Sequence, residues 1–114
     1  MKDKEYMSIK KMVDYIDKAL KYTKDCNFKQ FSDNEEKVDA TVFAISQIGE
    51  LVKNIGKETM EKYYNIEWVI IKNLRNKIVH DYEGINLNLI WDIIQNDIVE
   101  LRKDLEKILN ENNK

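Results

Sequence analysis

The chain has 114 residues, 43% hydrophobic and 35% charged, with 19 basic and 21 acidic residues for a formal net charge of −2. That length supports one domain with a real core, while three glycines and no proline exclude sandwiches and barrels, which spend turn residues heavily. The charge balance excludes a globally basic nucleic-acid binder, so any polyanion must be held by a local patch.

Cys26 is the single cysteine and His80 the single histidine. One cysteine forms no intrachain disulfide, and a zinc site of the Cys/His type cannot be assembled, so no metal and no cofactor are expected. The N-terminal stretch MKDKEYMSIKK is charged from its second residue and lacks a signal peptide's apolar core. No apolar run approaches the roughly 20 residues of a membrane span. The expected location is the cytoplasm, with no membrane partner.

Helical periodicity runs along almost the whole chain. Over about 4–26, Tyr6, Ile9, Val13, Ile16 and Leu20 recur at spacings of three and four, which predicts one amphipathic helix. Residues 27–33 break the pattern. Ser32 with Glu35, or Asp33 with Glu36, has capping-box spacing for the next helix. That helix, about 34–56, turns Val38, Val42, Ile45, Ile48, Leu51, Val52 and Ile55 inward. Gly49 in its middle is read as a close helix crossing, with a merely tolerated glycine as the alternative, and Gly56 fits the residue just past its end.

Residues 57–65 read as a short helical connector with Tyr63 and Tyr64 as lids over the core. A third long helix spans about 66–81, interrupted after its end by Gly84 and Asn86. A fourth, about 87–110, carries Leu87, Ile90, Trp91, Ile94, Ile98, Leu101, Leu105 and Ile108 on one stripe. The tail NENNK is expected to fray. Alternation of period two is absent. The expected fold is all-α: a four-helix up-and-down bundle with a short extra helical connector, one domain over 1–114.

The third helix has the unusual polar load. With Arg75 at 0° on a wheel of about 100° per residue, Ile71, Leu74 and Ile78 fall near 320°, 260° and 300° and define its core stripe. Asn73, Asn76 and His80 fall near 160°, 100° and 140°, away from the core. Val69 lies among them, so this face is read as a second contact surface, a dimer seam holding a polar pocket. Each residue also has an ordinary alternative. A lone helix histidine is usually a surface group, and a helix-edge arginine usually makes a salt bridge, here to Asp81, Glu83 or an acid of the second helix. Trp68 and Tyr82 would ordinarily be core.

The run Arg75-Asn76-Lys77-Ile78-Val79-His80-Asp81-Tyr82 resembles the R-x4-H-x-Y motif of the HEPN superfamily, in its HepT-like branch of toxin proteins. Ile48-Gly49-Glu50, Trp68 and Trp91 resemble that branch as well, and the similarity covers nearly the whole chain. The resemblance implies a metal-independent endoribonuclease acting as a homodimer, with the motifs of two subunits lining one cleft. His80 would be the acid or base at neutral pH and Arg75 the phosphate binder. Asn76 would orient His80 or hold a phosphate oxygen, while Lys72 and Lys77 would steer RNA. Tyr82 would accept AMP from ATP through a cognate minimal nucleotidyltransferase antitoxin, ATP serving only as donor. Two alternatives stand beside this: a non-catalytic binding module that helps a nucleotidyltransferase hold nucleotide or substrate, and a structural bundle. Intact Arg75 and His80 favour the enzyme.

Overall fold

A computed structural model describes the backbone of residues 1–83 and 86–113 and the side chains of 1–78 and 86–113. Among them no strand occurs, and the fold is the expected all-α bundle. The helices are α1 (Asp3–Thr23), α2 (Phe28–Ser32), α3 (Glu35–Leu51), α4 (Lys57–Lys62), α5 (Trp68–Glu83), α6 (Leu87–Asp92) and α7 (Ile98–Asn112).

Contacts at the helix ends set the up-and-down order. Lys37, at the start of α3, donates through Nζ to the Tyr22 carbonyl at the end of α1, at 2.7 Å. At the other end of α1, Glu5 accepts from the Gly56 N–H beyond α3, at 2.7 Å. These two helices therefore run antiparallel. Tyr63, just before α5, donates its hydroxyl to Glu111 near the end of α7, at 2.9 Å, which makes α5 and α7 antiparallel too. Ile9, Met12 and Ile16 of α1, Ala44, Ile45 and Ile48 of α3, Ile71, Leu74 and Ile78 of α5, and Ile98, Leu101 and Leu105 of α7 close one core.

The structure corrects several local expectations. Residues 28–32 fold into α2 because Phe31 is fully buried, with its ring centroid 5.2 Å from that of Trp91. Asn27 and Gln30 form the capping box of α2, and Asn34, not Ser32 or Asp33, caps α3 by accepting from the Lys37 N–H. The second long helix stops at Leu51 and tightens into a 3₁₀ turn, Val52–Asn54. Gly56 is not its terminal left-handed residue: with φ −80° and ψ 163° it is the N-cap of α4. Tyr64 is exposed and lids nothing, whereas Tyr63 packs on the core.

The fourth long helix is interrupted by a π turn, Ile93–Asp97, where the Ile98 N–H donates to the Ile93 carbonyl five residues back. Ile90, Ile93, Ile94 and Ile98 are all buried along this stretch. The C-terminal tail does not fray at once: the helix reaches Asn112, whose amide donates to the Tyr63 hydroxyl at 3.0 Å.

Candidate active site

The site is built on α5 and the middle of α3. Ile71, Leu74 and Ile78 are buried, which fixes the rotation of α5 as the wheel predicts, and Trp68 at its start is buried as well. Trp68 belongs to the core, and its indole N–H donates to the Tyr63 carbonyl at 3.1 Å. Lys72, Asn73, Arg75, Asn76 and Lys77 consequently face outward and are exposed. Val69, 71% exposed, lies among them, so none of the described residues covers it.

Gly49 sets how near α3 comes. A Cβ built there would sit 3.0 Å from the Ile71 carbonyl oxygen, 3.3 Å from that of Lys72 and 3.4 Å from the Arg75 nitrogen. The two backbones are in direct contact at this crossing, as the sequence led us to expect. The residue after the glycine, Glu50, can therefore meet Arg75: Nη1 donates to Glu50 Oε1 at 2.7 Å. Glu50 Oε2 accepts from Lys53 Nζ at 2.9 Å. The Lys53 ammonium, and then the Arg75 guanidinium, hold the Glu50 carboxyl below its ordinary range against desolvation, so it stays ionised at neutral pH.

The two arginines of the chain are held differently. Arg102 of α7 is gripped on both edges: Nε and Nη2 donate to the two oxygens of Asp17 at 2.6 and 3.3 Å, and Glu106 lies 3.2 Å from Nη1. Its role is to tie α7 to α1. Arg75 is bonded through one nitrogen, is 52% exposed in its side chain, and has Glu50 as its hydrogen-bond partner among the described residues. Of the two, Arg75 has donors to offer a ligand.

The expected site residues do not all converge. Lys72 lies one turn from Arg75 and Asn76 directly follows it, both exposed. Lys77, also exposed, acts through its charge on Asp97 at the end of the π turn; burial and the neighbouring Asp92 push that carboxyl up, and Lys77 opposes them. The backbone of α5 continues helically through His80 and Tyr82, while their side chains lie outside the described residues, as does Gly84. Glu50 is the residue that periodicity did not single out as functional. The only signal for it was the Ile48-Gly49-Glu50 segment.

The profile of the family described as ribonuclease HepT-like matches residues 12–108, a span that contains both the α3 crossing and the whole 75–82 motif. The chain belongs to that family. Similar curated proteins agree. A candidate RNase of Caldanaerobacter subterraneus subsp. tengcongensis is 36% identical over 90 residues, covering 79% of this chain and 80% of its own. Another, from Methanocaldococcus jannaschii, is 32% identical over 98 residues, covering 86% and 84%. A protein of Thermococcus cleftensis named probable ribonuclease HepT is 27% identical over 93 residues, covering 82% and 84%. No solved structure matches the chain at comparable significance. Membership in a ribonuclease family gives the exposed polar face of α5 its chemical context: a phosphodiester backbone is the ligand class to weigh against Arg75.

Proposed function

We propose that this HepT-like protein is the endoribonuclease toxin of a toxin–antitoxin pair, cutting RNA without a metal at a cleft shared by two copies of the chain. The observation that carries the reading is Arg75, held from one side on an otherwise open face of α5 and five residues ahead of the only histidine. Arg75 binds the scissile phosphate and stabilises the charge that builds on it. His80 takes the proton from the ribose 2′-OH as that oxygen attacks phosphorus, imidazole being the side chain suited to exchange protons near neutral pH. The P–O5′ bond breaks, and a proton given to the leaving 5′-oxygen completes a 2′,3′-cyclic phosphate and a 5′-hydroxyl. One chain supplies one histidine, so separate base and acid groups require the His80 of a second copy. The uncovered face with Val69, Asn73 and Asn76 supports such pairing. Lys72 contributes an exposed charge beside Arg75; Lys77 attracts backbone from farther round the helix.

Tyr82 is the regulatory position in this reading. A cognate minimal nucleotidyltransferase moves AMP from ATP to its hydroxyl, releasing pyrophosphate. The added phosphodiester places negative charge two residues from His80 and opposes RNA binding.

The test is cleavage of oligoribonucleotides by the purified chain in EDTA. The wild type should leave 2′,3′-cyclic phosphate ends and spare 2′-deoxy substrates, and His80→Ala should lose about 10²–10⁴ in rate with its helical circular dichroism intact. Undiminished cleavage by His80→Ala would sink the catalytic assignment. Binding without cleavage by the wild type would favour the non-catalytic module.

A further inference from the structure

The ion pair at the α3–α5 crossing has features that an incidental surface pair lacks. Gly49 brings the two backbones into contact beside the Arg75 nitrogen, so the side chain of Glu50 starts close to its partner and spans a short gap. Its two oxygens are divided between two cations, Oε1 to Arg75 and Oε2 to Lys53. Lys53, three residues on in the turn after α3, thereby holds the carboxylate in one orientation. Among the described residues the grip on Arg75 is through Nη1, unlike the two-edged grip of Asp17 and Glu106 on Arg102. A guanidinium has five N–H donors, and a phosphate is bound best through two adjacent ones. Holding one nitrogen restrains the guanidinium and leaves an edge for that bidentate contact. An untethered arginine as exposed as this one would have to lose its rotamer freedom when substrate binds.

We propose that Glu50 is a positioning residue for RNA cleavage: it tethers Arg75 by one nitrogen, with Lys53 bracing it, so that the opposite guanidinium edge meets the scissile phosphate. This rests on the ribonuclease reading above. Glu50 touches no substrate atom and moves no proton. It replaces the alternative in which Arg75 and Glu50 are simply a surface salt bridge, which would contribute little to anything.

The test compares kcat and KM for a mixed-sequence single-stranded oligoribonucleotide among the wild type, Glu50→Ala, Glu50→Gln, Arg75→Ala and the double Glu50→Ala/Arg75→Ala chain. Glu50→Ala should lower kcat about tenfold or more with KM unchanged or lower, because a misplaced phosphate binder loses transition-state contact while a repelling charge is also removed. Glu50→Gln keeps an acceptor oxygen at the same reach and should recover most of kcat. In the Arg75→Ala background, Glu50→Ala should cost nothing more, since there is nothing left to position. All four variants should melt close to the wild type, since Arg75 is exposed and Glu50 is only partly buried. A Glu50→Ala chain with wild-type or higher kcat overturns the proposal, and so does a loss that adds in full to that of Arg75→Ala. A wild type that cuts no RNA overturns the ribonuclease reading itself, and this proposal with it, and is distinguishable from both.

Discussion

Glu5 is a carboxylate in the first turn of an amphipathic helix, yet it is only 6% exposed. Burial pushes its carboxyl up. Hydrogen bonds from the Gly56 N–H at 2.7 Å, the Thr59 hydroxyl and the Lys2 N–H outweigh this and bring it below its ordinary 4.5. A folded-state value below the unfolded one stabilises the fold above pH 4.5, and that contribution is lost as pH falls through the lower, folded value. Glu5→Ala should therefore destabilise the bundle by about 1–3 kcal/mol near neutral pH, by leaving the Gly56 and Thr59 donors unpaired. Its stability should also fall less steeply than that of the wild type below pH 4.5. Urea melts at pH 7 and pH 3.5 measure both; an equal loss of stability at the two pH values would remove Glu5 from the acid response. Arg75 and Arg102 make a related point, because identical side chains are assigned opposite work by how many acids surround each.

At the scale of elements, the α3–α5 crossing decides the site. Gly49→Ala adds a methyl where backbone oxygens stand 3.0 and 3.3 Å away, and backbone cannot swing aside like a side chain. The substitution gains about 1 kcal/mol of helix propensity and meets an overpacking cost of about 1–3 kcal/mol. Gly49→Ala should melt slightly below the wild type and Gly49→Val well below it. A Gly49→Ala chain more stable than the wild type would contradict the close crossing. The long helices were legible because apolar residues three and four apart are a local pattern, and Ile71, Leu74 and Ile78 face the core as their wheel positions require. Helix ends were less legible. Asn27, Asn34 and Asn86 accept from the N–H three residues on, yet Ser32 and Asp33 offered equally good capping spacing. The burial of Phe31 against Trp91, 60 positions away in the chain, settled which cap is used.

For the whole molecule, the prediction concerns assembly. A composite cleft needs two chains, so native mass spectrometry should give twice the 13.6 kDa of one. With the partner nucleotidyltransferase and ATP, the same spectra should add whole AMP units, and Tyr82→Phe should abolish them. A monomer that cuts RNA would refute the shared cleft, and AMP retained in Tyr82→Phe would refute the switch. The charge of −2 is compatible with such a site because some of the acidic charge is already taken up by other basic residues. Asp17 and Glu106 are occupied with Arg102, while the outward face of α5 from Lys72 to Lys77 carries three basic residues and no acid.

By itself the sequence determined the all-α class, the faces of the four long helices and the Arg75–His80 motif with its family. Each of these is written in residues a few positions apart, where helical geometry alone converts spacing into a shared face. The tertiary structure alone decided that α2 forms over Trp91 and that Glu5 holds the start of α4. It also decided that Lys77 answers to Asp97 and that Glu50 is the acid that takes Arg75. Those pairings join residues 20 to 60 positions apart, and hydrophobic packing must first bring their helices together before any charge or hydrogen bond can choose its partner.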